Sequence, residues 1–522
     1  MKKKIISFVI ISVGLLALLL SVFFYPSKEE SKNQTVKSVV KVKKATTSIL
    51  LPHDSTSLEC LKGAIETLAH SDSLQHGTFG FCLSSDSGNI LVEYNSNQSL
   101  VPASALKTVT TGICLNKLGP GFRYSTRLQY DGVIDKFDKT LEGNLYIKGS
   151  GDPTLGSSVF NGCDEESILA NWITAIKNLG IDSIKGAVIG DADVFDDDII
   201  PAGWAWEDMQ SDYGIGPCGL SFHENVYDIK VDGNSVKPKF SVVQPIPELK
   251  LINYIGVNNS TLKDYVYASG GPYSNERYLK GAVKAGNHTF IGQSAIPDPA
   301  YYCAHALYLK LKKNGIPVRD SATTTRKLRI RDKKIKKDRT SFYTTSSPTL
   351  SSIIWYTNTV SQNFYAENLL RSLSLYQKGY GSTPGGVNVV KDYCEENNID
   401  TRGFFMVDGS GVSRFDAVTA RQLVNVLQSY TKDSILFNVF YNTLPVAGDP
   451  GELSEICKGS LVEKNIRCKG GYMSRVLSFA GYVTTKSGKR LTFAMLANNY
   501  EYSVIGMRNE LEKLMVLLSE LE

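Results

Sequence analysis

The stretch Val101-Pro102-Ala103-Ser104-Ala105-Leu106-Lys107-Thr108 sets a serine hydroxyl and a lysine amine at positions i and i+3. On a helix such residues share a face. Pro102 suits a first helical turn, and the apolar, helix-compatible run Ala103 to Leu118 follows it. A serine hydroxyl is a poor nucleophile until a base takes its proton. A lysine serves as that base only when burial or nearby positive charge lowers its pKa. Spacing alone selects nothing: Ser38/Lys41, in a lysine-rich segment, and Ser429/Lys432, near the end of a surface helix, repeat it.

Two later segments single out the first pair. Ser361-Gln362-Asn363 lies between two helical patterns, and Arg467-Cys468-Lys469-Gly470-Gly471 precedes a terminal hairpin. In isolation the former reads as a helix-capping stretch and the latter as a turn. In the order Ser-x-x-Lys, Ser-x-Asn, Lys-x-Gly they form the signature of the penicillin-recognising serine acyl-transferases. Further segments agree in order and spacing: Gly149-Ser150-Gly151-Asp152-Pro153-Thr154-Leu155, Gly203-Trp204-Ala205-Trp206-Glu207-Asp208, Asp408-Gly409-Ser410-Gly411-Val412-Ser413-Arg414, Leu444-Pro445-Val446-Ala447-Gly448 and Phe479-Ala480-Gly481-Tyr482-Val483. From about residue 50 onward the chain resembles the D-alanyl-D-alanine carboxypeptidase/endopeptidase family, the low-molecular-mass class C penicillin-binding proteins.

The resemblance implies an α+β fold: a transpeptidase-like antiparallel sheet with helices on both sides. Residues 49–122 and 300–522 would build that core. An inserted β-rich region, 123–299, would follow the nucleophile helix and carry a nested domain at about 225–290. The resemblance also implies roles. Ser104 would be the nucleophile, Lys107 the general base and Ser361 a proton relay, with Asn363, Lys469, Gly470 and Gly471 binding substrate. Peptidoglycan stem peptides would be the substrate and β-lactams covalent inhibitors, with no metal or cofactor. One position departs from the family: a hydroxyl residue usually stands where this chain has Gly470. Losing such a contact costs about 1–3 kcal/mol when it leaves a buried partner unpaired. A wall-binding homologue without turnover and a β-lactamase-like or esterase-like hydrolase are therefore alternative readings.

Composition fits a multidomain globular protein: 522 residues, 42% hydrophobic, 21% charged, net charge +5. No nucleic-acid module is present, and the basic run Arg326 to Arg339 reads as a solvated loop or edge strand. Lys2, Lys3 and Lys4 precede an uncharged run, Ile5 to Tyr25, long enough to cross a bilayer. An uncleaved anchor with an extracytoplasmic catalytic part is favoured over a signal peptide. Residues 26–48 form a polar tether. The nine cysteines contain no CxxC pair, so a structural zinc site is not expected. His223 and His305 lack a triad pattern and read as structural. Trp204 and Trp206 read as packing residues of the insertion. Oligomeric state is not encoded legibly.

Overall fold

The computed structural model describes residues 58–522 except 234–236, 259–262, 287 and 461. The expected anchor and tether lie outside the described residues. Among these, no helix is long and apolar enough to cross a membrane.

Alternating apolar residues on either side of a short turn give the hairpin Thr78–Ser85 and Ile90–Tyr94. The end of the chain supplies three more strands, Ile466–Met473, Val476–Thr484 and Arg490–Asn498. They join into one five-stranded sheet in the order 466–473, 476–484, 490–498, 78–85, 90–94, antiparallel throughout. Side chains alternate between its faces. Cys82, Ala480, Tyr482, Ala494 and Leu496 enter an apolar cluster shared with the helices Lys107–Leu118, Leu350–Thr359, Asn363–Lys378, Thr383–Glu396, Ala420–Tyr430 and Ser434–Thr443. Phe79, Phe81, Phe479, Phe493 and Met495 are buried on the opposite face. Helices Leu58–Ala69 and Val504–Glu520 pack against each other and against edge and central strands of the sheet. A sheet with helices on both sides is the expected α+β core.

The insertion has its own apolar cluster, centred on Trp172, Leu145, Ile147 and Val188. A second five-stranded sheet runs Thr323–Thr324, Val188–Asp191, Leu145–Lys148, Ser125–Tyr130, Thr340–Ser346. Beside a small sheet of Val133–Asp135, Thr140–Glu142 and Ser183–Ile184, two further sheets follow. One joins Val226–Asp232 to Lys239–Val242 and Thr289–Ala295. The other centres on Glu276–Lys284. Helix Pro299–Lys313, expected to open the second part of the core, instead buries Ala300, Tyr302, Cys303, Leu307 and Leu311 in the insertion's cluster. Residues 323–324 and 340–346 likewise pair with the insertion's strands.

The middle of the basic run, residues 330–338, is largely exposed, as a solvated loop would be, but both ends are tied down. Arg329 pairs with Asp193 and Asp197, and Arg339 with Asp191 while stacking 3.8 Å from the Tyr146 ring centroid. Lys327 reaches Glu248. Arg371, 1% exposed, bonds Asp196, the Asp198 carbonyl and Thr383, tying the helix Asn363–Lys378 to the insertion. Cys82, Cys114, Cys163, Cys218, Cys303, Cys394, Cys457 and Cys468 are buried free thiols.

Candidate active site

The expected single helix after Pro102 starts differently. Residues Ala103–Leu106 form a 3-10 turn, and the α-helix runs from Lys107 to Leu118. The i, i+3 relation survives, because side chains three apart also coincide in a 3-10 turn. Ala103 sits at φ +46°, in the left-handed region. A non-glycine residue there costs about 1–3 kcal/mol and persists only where its surroundings impose it. Here they press from two sides. A Cβ on Gly471 would lie 2.6 Å from the Pro102 carbonyl and 2.7 Å from the Ala105 nitrogen, so only glycine lets the strand Ile466–Met473 approach this turn. A Cβ on Gly411 would lie 2.0 Å from the Ala103 carbonyl. Ser478 Oγ donates to the Pro102 carbonyl from the neighbouring strand.

Lys107 is fully buried. Its Nζ lies 2.9 Å from Ser104 Oγ, 2.6 Å from Asn363 Oδ1 and 2.7 Å from the Ser410 carbonyl. Asn363 Nδ2 donates to the Tyr213 carbonyl at 2.9 Å, which settles which end of the amide faces Lys107. A neutral amine has two N–H groups and one lone pair. The two carbonyl-type oxygens can only accept, so they take both N–H groups. The lone pair is left for the Ser104 hydroxyl. Burial, then the positive charge of Lys469, pulls the Lys107 pKa down from 10.5 to about 7, against an opposing pull from Glu452, Asp408 and Glu367. The neutral form is therefore well populated at neutral pH.

The loop behind Lys107 is held by buried carboxylates. Asp408 accepts from the Ser410, Gly411 and Ser413 backbone N–H groups and from Trp204 Nε1. Glu367 accepts from the Gly409 N–H at 2.9 Å. Burial and then the neighbouring Asp408 push the Glu367 pKa up to about 8. Trp204 thus packs as expected, but against the core loop, and Trp206 is half exposed. His223 pairs with Glu165 and His305 stacks on Tyr308, consistent with structural roles.

Ser361 and Lys469 complete the set. Ser361, at φ +59°, stands between the helices Leu350–Thr359 and Asn363–Lys378, where the two helical patterns place it. Ser361 is partly exposed, and among the described residues no hydrogen bond joins it to Ser104 or Lys107. Lys469 is buried on the strand and pairs with Glu452, also donating to the Gly470 carbonyl at 2.8 Å. Burial lowers its pKa while Glu452 raises it. A Cβ on Gly470 would stand 3.2 Å from Glu452 Oε1. The sequence reading missed Glu452 and the Tyr213 carbonyl. Glu452 follows closely on the segment Leu444 to Gly448 and was legible only as a carboxylate without a local partner. Tyr213 acts through its backbone, which leaves no residue-type signal.

The model of the D-Ala-D-Ala carboxypeptidase 3 (S13) family matches residues 61–521. The chain belongs to that family. Among curated relatives, D-alanyl-D-alanine carboxypeptidase DacB of Haemophilus influenzae is 24% identical over 420 residues, 79% of this chain and 83% of the relative. The D-alanyl-D-alanine carboxypeptidase of Actinomadura sp. (strain R39) is 25% identical over 79% of this chain and 76% of its own length. In three dimensions the S13 fold of this chain is similar to crystalline penicillin binding protein 4 (dacB) from Haemophilus influenzae, with a TM-score of 0.75 and 22% identity over 88% of this chain and 98% of that one.

Proposed function

We propose that the protein is a peptidoglycan-processing serine DD-carboxypeptidase/DD-endopeptidase working through an acyl-enzyme on Ser104. The observation that carries this reading is the lone pair of Lys107, directed at Ser104 Oγ by two fixed acceptors. Ser104 Oγ attacks the carbonyl between two D-alanines while its proton passes to Lys107 Nζ. The oxyanion is held by backbone N–H groups of Ser104 and of the strand beyond Lys469. As the C–N bond breaks, the proton on Lys107 moves through the Ser361 hydroxyl to the leaving amine. Water then attacks the ester, Lys107 takes its proton, and Ser104 regains a hydrogen as the acid departs. Asn363 holds Lys107 and the substrate amide.

The same machinery accepts a β-lactam carbonyl in place of the peptide. Intact mass after benzylpenicillin treatment tests the reading. Wild type gains one covalent adduct, Ser104→Ala gains none, and wild type releases D-alanine from diacetyl-Lys-D-Ala-D-Ala. A folded wild type that neither labels nor releases D-alanine refutes it. The site of action is extracytoplasmic, with residues 5–25 holding the protein at the membrane. The uncharged run behind Lys2, Lys3 and Lys4 supports this, and release of the full-length protein from membranes by salt alone would refute it.

A further inference from the structure

The resemblance makes Lys469 a substrate-binding cation that would attract a substrate carboxylate, and here it already has a carboxylate partner. The ammonium is fully buried and would otherwise be an uncompensated charge. Glu452 supplies the counter-charge from the loop facing the strand, with its side chain 23% exposed. Its other oxygen lies 3.2 Å from the point a Cβ on Gly470 would occupy. A serine or threonine at 470 would thus place its hydroxyl against this carboxylate. The missing hydroxyl and the extra carboxylate are two halves of one change: Gly470 leaves the room, and Glu452 fills it. The positive wall of the cleft becomes a neutral ion pair.

We propose that Glu452 is a specificity-determining residue that turns the cleft toward D-alanyl amides whose leaving amine carries no carboxylate next to the scissile nitrogen. The proposal rests on the acyl-transfer reading of the same cleft and names its substrate class. An incoming α-carboxylate must share Lys469 with a carboxylate already bound to it, and like charges held close repel. A leaving group capped as an amide, or one attached through a side-chain amine, meets no such opposition. Its neutral end faces a neutral pair.

Binding measured without turnover separates this proposal from the catalytic reading. Calorimetry compares diacetyl-Lys-D-Ala-D-Ala with its C-terminal carboxamide on folded Ser104→Ala protein and on Ser104→Ala/Glu452→Gln. The glutamine is isosteric, and Glu452→Ala serves as a second variant should it perturb the loop. With Glu452 present, the acid and the amide bind within about threefold of each other. Removing its charge tightens the acid about tenfold, which is 1.4 kcal/mol, and leaves the amide within about twofold. An acid bound tenfold or more tightly than the amide while Glu452 is intact overturns the proposal. So does an acid-to-amide ratio that neither substitution moves, or binding of neither peptide to any variant. Failure of catalysis alone would appear instead as absent D-alanine release by wild type.

Discussion

The pH dependence of Ser104 acylation follows from the neighbours of Lys107. Only neutral Lys107 can take the serine proton, and its pKa is drawn down to about 7. An ordinary lysine at 10.5 would be neutral in about one molecule in 3,000 at pH 7. Burial and Lys469 therefore make the base available at a differential cost of about 5 kcal/mol between its two protonation states. The second-order rate of benzylpenicillin acylation, followed by stopped-flow fluorescence from pH 5 to 9, rises about tenfold per pH unit below 7 and levels off above it. Substitutions on the opposite wall shift the midpoint in opposite directions. Lys469→Met removes a positive neighbour, so the Lys107 pKa rises and the limb moves to higher pH. Glu452→Gln removes a negative neighbour, so the pKa falls and the limb moves to lower pH. A flat profile between pH 5 and 8, a midpoint above 9, or shifts of the same sign in the two variants would refute the reasoning.

Three other substitutions probe the frame around the base. Gly471→Ala drives a methyl group into the Pro102 carbonyl and Ser478; thermal unfolding should show a loss of about 1–3 kcal/mol, and penicillin labelling should slow at least a hundredfold. Trp204→Phe leaves Asp408 short of a donor, and denaturant unfolding should register about 1–3 kcal/mol with labelling slowed. Arg371→Met removes a buried cation and strands its partners on the insertion; a loss of about 3–5 kcal/mol is expected, and a Tm unchanged within 1 °C would contradict the structure.

The sheet and the ordered motifs were legible because they rest on local signals. The terminal hairpin was expected after Gly471, and the order of the three short motifs singled out Ser104, Lys107, Asn363 and Lys469. What stayed hidden depends on distant chain. The left-handed φ at Ala103 is imposed by the strand and loop packed against it, so the stretch after Pro102 reads as plain helix. Strand Thr340–Ser346 declares its allegiance only by pairing with Ser125–Tyr130, across the whole insertion. Helix Ser434–Thr443 is rich in aromatic and β-branched residues that favour strands, and burial of Phe437 and Phe440 decides for helix. The basic run gave no hint that Asp191, Asp193 and Asp197 would meet it.

The five-stranded sheet pairs the first described strand, Thr78–Ser85, with the last, Arg490–Asn498. During synthesis the serine and its lysine emerge long before the asparagine and the edge strand that finish the cleft. Pairings this distant in sequence are slow to form. On the acyl-transfer reading, a nascent or C-terminally shortened chain carries Ser104 without the burial and the Lys469 charge that lower the Lys107 pKa. Reactivity toward an acylating drug becomes a property of the completed molecule, and unfinished copies are spared inactivation.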